Sequence, residues 1–413
     1  MAISVSGGGL AGPARWSVSG AAVVALCFAI NMADGLDVTI LSFIAPRLQA
    51  EWRIGPEAMG RLFGAGLFGI ALGGMLIAPL ADRFGRRRII LVALALMSAG
   101  MLASSYAPSP GALLVLRVVV GTGIGTVLAT MAALAAESAP PTQRDLAVGL
   151  VQAGYPFAAV FTGLAVAQLL PLYGWRVLLL GAGLVTVALS PAAWLALPAD
   201  GATRARDGRA GKVAPLFGRV FRLRTLALWA AVFFGLMVLY FIVSWIPKLA
   251  IQTGLSETNG IYAGALYNLG AFVGTVTMSV LALKVPLRRL VPAMLAAAAV
   301  AMLAFGSLHL SVAPTLAVAF AIGVLLQGGY NGVWPLAAAA YPAEIRATGI
   351  GWAIGVGRSG AIIGPMLGGY LIGAKASLPF LFAAYCAPLL ACAACAFLVG
   401  RWTTAESGEI DRN

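Results

Sequence analysis

Pro79-Leu80-Ala81-Asp82-Arg83-Phe84-Gly85-Arg86-Arg87-Arg88 decides the fold, because it sets a knot of charge between two apolar runs, residues 58–80 and 88–106. A hydrocarbon core of roughly 30 Å is crossed by about 20 apolar residues in a helix, where every backbone N–H and C=O finds a partner without water. Both flanking runs reach that length, so the stretch reads as a short wet turn between two membrane helices. An acid among arginines at a helix junction can bind them and the neighbouring helix ends, which suits a gating latch made of Asp82, Arg83, Gly85, Arg86 and Arg87. A plain cationic anchor at the membrane surface accounts for the arginines but leaves Asp82 and Gly85 unexplained.

The same alternation continues in both directions. Of 413 residues, 61% are hydrophobic and 10% charged, against roughly 25% charged in a soluble domain. Membrane-length spans are predicted near 17–46, 58–80, 88–106, 110–135, 145–170, 175–197, 225–250, 258–283, 287–309, 312–338, 347–373 and 378–400, twelve in all. No small-residue cleavage site follows the first of them, so it is expected to be a retained helix rather than a signal peptide. The net charge of +13 does not point to nucleic acid, since the basic residues are distributed over alternate loops. With both termini in the cytoplasm, Arg47, Arg53, Arg61, Arg176, Lys248 and Lys375 fall outside and most of the remainder inside, as the positive-inside rule requires. The expectation is a multi-pass protein of a bacterial-type inner (plasma) membrane, embedded in the lipid bilayer as a monomer. Cys27, Cys386, Cys392 and Cys395 all lie in apolar runs; the spacing of the last two matches a redox pair only formally, without the strand-helix setting such a pair needs. The sole histidine, His309, sits near an outer loop, and no metal-spacing cluster or nucleophile-base pair is visible, so neither an enzyme nor a cofactor or metal is expected.

The polar stretch 198–224 divides the chain six spans to six, giving an N-terminal bundle (1–197), a cytoplasmic linker (198–224) and a C-terminal bundle (225–413). A shift of about 200 residues lays Pro46-Arg47-Leu48 on Pro247-Lys248-Leu249, Gly121 on Gly323, Pro140 on Pro342, Arg144 on Arg346 and Gly149 on Gly351. Weak similarity of this kind marks parallel repeats about an axis along the membrane normal, with a substrate site at midplane between them. Under the same shift Asp34, Asp37, Arg117 and Arg358 fall on Gly235, Val238, Ala319 and Pro156. The four charges placed deepest in the membrane therefore have no counterpart in the other half.

Asp34 and Asp37 are three residues apart and share a helix face with Asn31. Two carboxylates in a low-dielectric setting repel, and burial favours the neutral form, so one of them is expected to hold and trade a proton. A pair of acids at the outer helix end, near Arg47, is the simpler reading; ionisable residues inside a membrane nonetheless default to function. Arg117 opens Arg117-Val118-Val119-Val120-Gly121-Thr122-Gly123. Its guanidinium cannot shed its charge, so it must pair with an acid or line a wet cavity, either as part of proton coupling or as a structural counter-ion. Arg358 lies among Gly355, Gly357 and Gly360, where a bidentate donor suits a carboxylate substrate, or else bonds carbonyls freed near Pro365. Tyr267, Asn268, Gln327, Tyr330, Asn331 and Trp334 are candidates to line a flat, half-polar pocket, though each alone also serves helix packing.

The opening stretch resembles the loop signature of the major facilitator superfamily, G-x-L-A-D-R-x-G-R-R, with Ala78 in place of its first glycine, and the Arg117 run resembles that superfamily's R-x-x-x-G-x-G pattern. Asp34-Gly35-Leu36-Asp37, Phe43-Ile44-Ala45-Pro46, Tyr341-Pro342-Ala343-Glu344-Ile345-Arg346-Ala347-Thr348-Gly349 and residues 355–365 together look like its aromatic acid:proton symporter family. The resemblance implies an all-α membrane protein of twelve helices in two six-helix pseudo-repeat bundles, the major facilitator fold. It implies import of a small organic acid, of benzoate or hydroxybenzoate type, together with protons. A drug or metabolite efflux antiporter of the same fold is the alternative. The antiporter pattern G-x-x-x-G-P-x-x-G-G stands here in the eleventh span, Gly360 to Gly369, while the fifth carries Gly154-Tyr155-Pro156, which favours import.

Overall fold

The computed structural model describes residues 17–140, 143–197, 214–219, 221–308 and 310–410, with the side chains of Asp82 and Glu344 among those left out. Eleven helical runs among the described residues are long and apolar enough to cross a bilayer. The longest, Arg144–Ala196, has 53 residues, about 80 Å at 1.5 Å per residue and so far more than one crossing. It breaks at Gly174, where φ is +73° and ψ 172°, a left-handed backbone that glycine adopts without a Cβ penalty. Two helices result, and the count among the described residues is twelve.

In chain order they are α1 (Val18–Trp52), α2 (Pro56–Leu80), α3 (Arg86–Ser105), α4 (Pro110–Ser138), α5 (144–173), α6 (175–196), α7 (Arg222–Gln252) and α8 (Glu257–Leu281), then α9 (Leu287–Ser307), α10 (Val312–Ala339), α11 (Ala343–Gly373) and α12 (Leu378–Ile410). The first span outruns its predicted end near residue 46, because Pro46 costs the helix one N–H without ending it. The chain turns only at Arg53, whose φ of 52° and ψ of 39° close the last turn with a bond back to Gln49. Of the predicted linker, residues 198–213 lie outside the described residues. Just before α7 the Ala214–Phe217 turn tucks Leu216 into the core, and Thr225 Oγ1 donates to the Leu216 carbonyl at 2.9 Å.

The repeat is visible as packing. Gly121 of α4 sits on α2, where an added Cβ would meet the Gly66 carbonyl and come within 3.0 Å of Ile70 N. Gly323 of α10 sits on α8, where a Cβ would meet the Tyr267 carbonyl and come within 2.9 Å of Ala271 N. Each contact in the first half maps onto its counterpart in the second at the same shift read from the sequence. Missing side chains at these crossings let backbones close to van der Waals distance, which drives association in lipid.

The two bundles meet through α1 against α7, α2 against α11 and α5 against α8. Ser42 Oγ lies 2.9 Å from the carbonyls of Val243 and Ser244. The Val243 oxygen is the one that Pro247, lacking an N–H, leaves without a helical partner. Arg47 pairs with Glu257 at 2.7 Å, Lys248 with Gln49, and Gly60 and Gly64 of α2 lie against Pro365 and Met366 of α11. All of these lie at the end where α1 finishes and α2 begins. At the opposite end, which carries the charged turn, Gly149 of α5 and Gly351 and Gly355 of α11 have nothing within 4 Å of a Cβ position. The side-chain contacts between the halves named here gather at the end where α1 finishes.

Candidate functional site

Gly35, between the two aspartates, is where α5 crosses α1: a Cβ there would strike the Tyr155 carbonyl and lie 2.9 Å from its Cα. Gly154 makes the reciprocal approach to the Phe28 carbonyl, at 2.7 Å, and Asn31 Nδ2 donates to the Val151 carbonyl at 2.5 Å. The crossing fixes which way the helix face carrying Asp34 and Asp37 points. Backbone atoms cannot move aside as a flexible side chain can, so Gly35→Ala is expected to cost about 1–3 kcal/mol through overpacking. That cost is expected to appear as a lower unfolding temperature of purified Gly35→Ala protein with no change of charge. A parental unfolding temperature would show that the crossing is dispensable.

Asp37 is 1% exposed and its Oδ2 accepts from Arg117 Nη2, while its Oδ1 and the Arg117 Nε and Nη1 have no hydrogen-bond partner. Asp34, one turn away, is 7% exposed with an unpartnered Oδ1. Of the alternatives open to Arg117, an acid partner or a wet cavity, the structure shows it with both: it pairs with Asp37 and lines a cavity. Asp37 and Arg117 line a cavity bounded by Leu62, Phe63 and Gly66 of α2 and by Tyr240 and Ser244 of α7. It therefore lies on the seam between the halves. Arg358 of α11 stands close enough to this seam to interact electrostatically with Tyr240 and Asp34. The four charges without repeat counterparts thus form one cluster, three from the first half and one from the second.

Four phenols surround the cluster. Tyr155 interacts with Asp34, Asp37, Tyr240 and Tyr267, and Tyr330 with Tyr240 and Arg358. The Tyr267 and Tyr330 hydroxyls are buried without a hydrogen-bond partner, an arrangement that costs free energy until something satisfies it. Trp334 packs edge-on against Tyr330, with ring centroids 5.9 Å apart. The amides behave differently. Asn268 donates to the Gly264 carbonyl of its own helix at 2.9 Å, and Gln327 and Asn331 bond each other and Thr275 of α8. Their observed bonds are packing bonds within the second half.

The charged turn is a short helix, Ala81–Phe84, ended by Gly85 at φ +98° and ψ 137°, so the glycine is required by the backbone itself. Arg86 pairs with Glu137 at the end of α4, Arg87 lies over the Trp194 ring of α6 at 4.7 Å, and Arg83 over Phe84 at 5.3 Å. These contacts stay within the first half. The side chain of Asp82 lies outside the described residues.

The profile of the Major Facilitator Superfamily matches residues 27–339. The chain belongs to that superfamily. Among its relatives is the gallate transporter of Pseudomonas putida, 31% identical over an alignment of 402 positions that covers 90% of each chain. Another is the 3-(3-hydroxy-phenyl)propionate transporter of Escherichia coli K12, 32% identical over 356 residues, 84% of this chain and 86% of that one. A bacterial homologue of the lysosomal transporter Spinster, solved inward-facing and occupied, superposes with a TM-score of 0.74 at 18% identity, covering 95% of this chain and 98% of that. A D-xylose-proton symporter gives 0.73 at 16%, covering 92% and 96%. The likeness to the last two establishes the fold: two six-helix bundles. The facilitator is a membrane transporter, not an enzyme. What sequence reasoning missed in its site is Tyr155 and Tyr240. The only signal for either was a tyrosine interrupting an apolar span.

Proposed function

We propose that this facilitator is a proton-coupled importer of a small aromatic carboxylate, of benzoate or hydroxybenzoate type, that works by alternating access. The observation that carries the reading is the charge cluster on the seam: Asp34 and Asp37 with Arg117 on one side, Arg358 on the other. A fixed guanidinium between the halves offers bidentate donors to a carboxylate, and buried acids beside it can take up the accompanying proton. Tyr267, Tyr330 and Trp334 supply aromatic faces for the ring, and two orphan hydroxyls suit a ring hydroxyl. Asn268, Gln327 and Asn331 border that pocket from the second half. The names of the two relatives above, both transporters of hydroxylated aromatic acids, point the same way.

The division into bundles 1–197 and 225–413 with a cytoplasmic linker at 198–224 belongs to the same proposal, as do cytoplasmic termini and a monomer. Arg47, Arg53, Arg61, Arg176, Lys248 and Lys375 all border the end where α1 finishes, which by the positive-inside rule faces away from the cytoplasm. Asp82, Arg83, Gly85, Arg86 and Arg87 are then the inner latch, of which Arg86 and Arg87 contact Glu137 and Trp194 of the first half.

The test is uptake by liposomes holding the purified protein. An inward tenfold proton gradient is expected to drive labelled 4-hydroxybenzoate up to about tenfold above its equilibrium level, since one proton moving down it supplies about 1.4 kcal/mol, and a protonophore should abolish the excess. Absence of protonophore-sensitive accumulation for benzoate, 4-hydroxybenzoate and gallate alike would exclude the reading.

A further inference from the structure

Pro46 takes one N–H from α1 without ending it, and the helix runs on through Arg47, Gln49 and Glu51 to Trp52. Each of those three polar side chains binds a different helix. Glu51 accepts from Trp175 Nε1 and Arg176 Nη1 of α6, both at 2.5 Å, and Trp175 packs edge-on against Trp52 with ring centroids 5.3 Å apart. That ties the extension to its own half. Arg47 and Gln49 reach the other one. Arg47 gives Glu257 of α8 two side-by-side bonds, from Nε at 2.8 Å and from Nη2 at 2.7 Å, and Gln49 accepts from Lys248 of α7. We propose that the stretch of α1 beyond Pro46 is a lock between the halves, anchored in the first by Glu51 and catching the second through Arg47 and Gln49. The role rests on the alternating-access reading above, not on which solute is carried.

The repeat shows why these contacts belong to the seam. The shift that lays Arg47 on Lys248 gives the two cations the same place in their halves, and each crosses to the opposite half. Neither contact holds a bundle together; both depend only on how the bundles sit against each other. Their partners differ. Glu257 opens α8, where the helix dipole favours a carboxylate, and the planar fork of Arg47 matches it. Gln49 is neutral, and its Nε2 is buried without a partner. The ion pair is therefore the catch that a change of charge can release. Lys248 with Gln49 is a second catch without an acid, and Gln168 of α5, donating to the Tyr262 hydroxyl of α8 at 3.2 Å, is a neutral third.

The Arg47 and Glu257 side chains are 49% and 30% exposed, so water competes for both and their attraction is small beside that of a buried pair. A lock that opens in every cycle needs a weak catch, because one that strongly favours a single arrangement would empty the other. Five residues inward of Arg47, Ser42 is 1% exposed and sits on the Val243 and Ser244 carbonyls. Opening the lock exposes this part of the seam to water.

The experiment measures how fast a water-soluble maleimide labels Ser42→Cys in the purified full-length protein. Mass spectrometry of the peptide carrying residue 42 separates that thiol from Cys27, Cys386, Cys392 and Cys395. Glu257→Gln removes the attraction and should raise the labelling rate about twofold, within the range measured for exposed pairs. Arg47→Glu sets two carboxylates against each other and should raise it at least about fivefold. Arg47→Glu combined with Glu257→Arg rebuilds the pair with its polarity reversed, and should return the rate to within about twofold of the parent's. Ser244→Cys, on the facing helix α7, is a second reporter that should give the same order even where Ser42→Cys disturbs the seam. Equal labelling of parent and Arg47→Glu at both reporters, or a swapped pair as reactive as Arg47→Glu alone, overturns the lock. The readout uses no solute. A protein that carries none of the aromatic acids therefore overturns the proposed substrate, while the labelling rates still decide this inference.

Discussion

Asp37→Asn is expected to abolish proton-driven accumulation and to destabilise the protein by about 3–5 kcal/mol, the cost of leaving one member of a buried ion pair without the other. The size of the effect depends on which partner remains. Arg117 is 2% exposed, already has two nitrogens without partners, and cannot discard its charge. Arg117→Gln leaves Asp37 instead, and a carboxylate abandoned in the same place takes a proton and becomes neutral. The two single variants should therefore be unequal, with Asp37→Asn the less stable in thermal unfolding of the purified protein. Asp37→Asn combined with Arg117→Gln removes both charges and should recover most of the loss while remaining uncoupled. Single variants of equal stability, or an Asp37→Asn protein that concentrates substrate as the parent does, would contradict a pair that carries the proton machinery.

The parts of this molecule legible from sequence are those set by composition and spacing. Twelve spans are legible because burial in lipid demands long apolar runs whatever the tertiary contacts. The repeat is legible because the crossings of α2 with α4 and of α8 with α10 demand a glycine at the same place in each half, Gly121 and Gly323. Asp34, Asp37, Arg117 and Arg358 are legible because charge in a membrane is costly enough to need a reason. A tyrosine carries no such signal. Tyr106, Tyr173 and Tyr370 are 74%, 60% and 60% exposed at helix ends or on outer faces, while Tyr155 and Tyr240 sit in the charge cluster, and only the packing of α5 and α7 against α1 separates the two kinds. Amides are legible as polar groups in apolar spans, while the bonds they make, Asn268 to a backbone carbonyl and Asn331 to a threonine of the same bundle, come only from the packing.

Arg358→Lys is expected to weaken acid binding by roughly 1.5–3 kcal/mol, the worth of a hydrogen bond to a charged group, or about ten- to a hundredfold in affinity. Lysine keeps the charge, so electrostatic attraction alone predicts little change; what it loses is the planar fork that can hold a carboxylate with two parallel bonds. The chemistry of the ligand gives the complementary test. The amide of a transported acid has the same ring and nearly the same shape but brings no negative charge, so binding it would leave a partly buried guanidinium without an anion. A site built around that group rejects such an analogue far more strongly than a hydrophobic pocket rejects a missing methyl. Competition binding against labelled 4-hydroxybenzoate should therefore show the acid displacing label from the parent with the amide inert, and the acid weakened in Arg358→Lys. An amide that competes as well as the acid, or unchanged acid affinity in Arg358→Lys, would place the carboxylate elsewhere, with Arg117 and its two spare donors the next group to test.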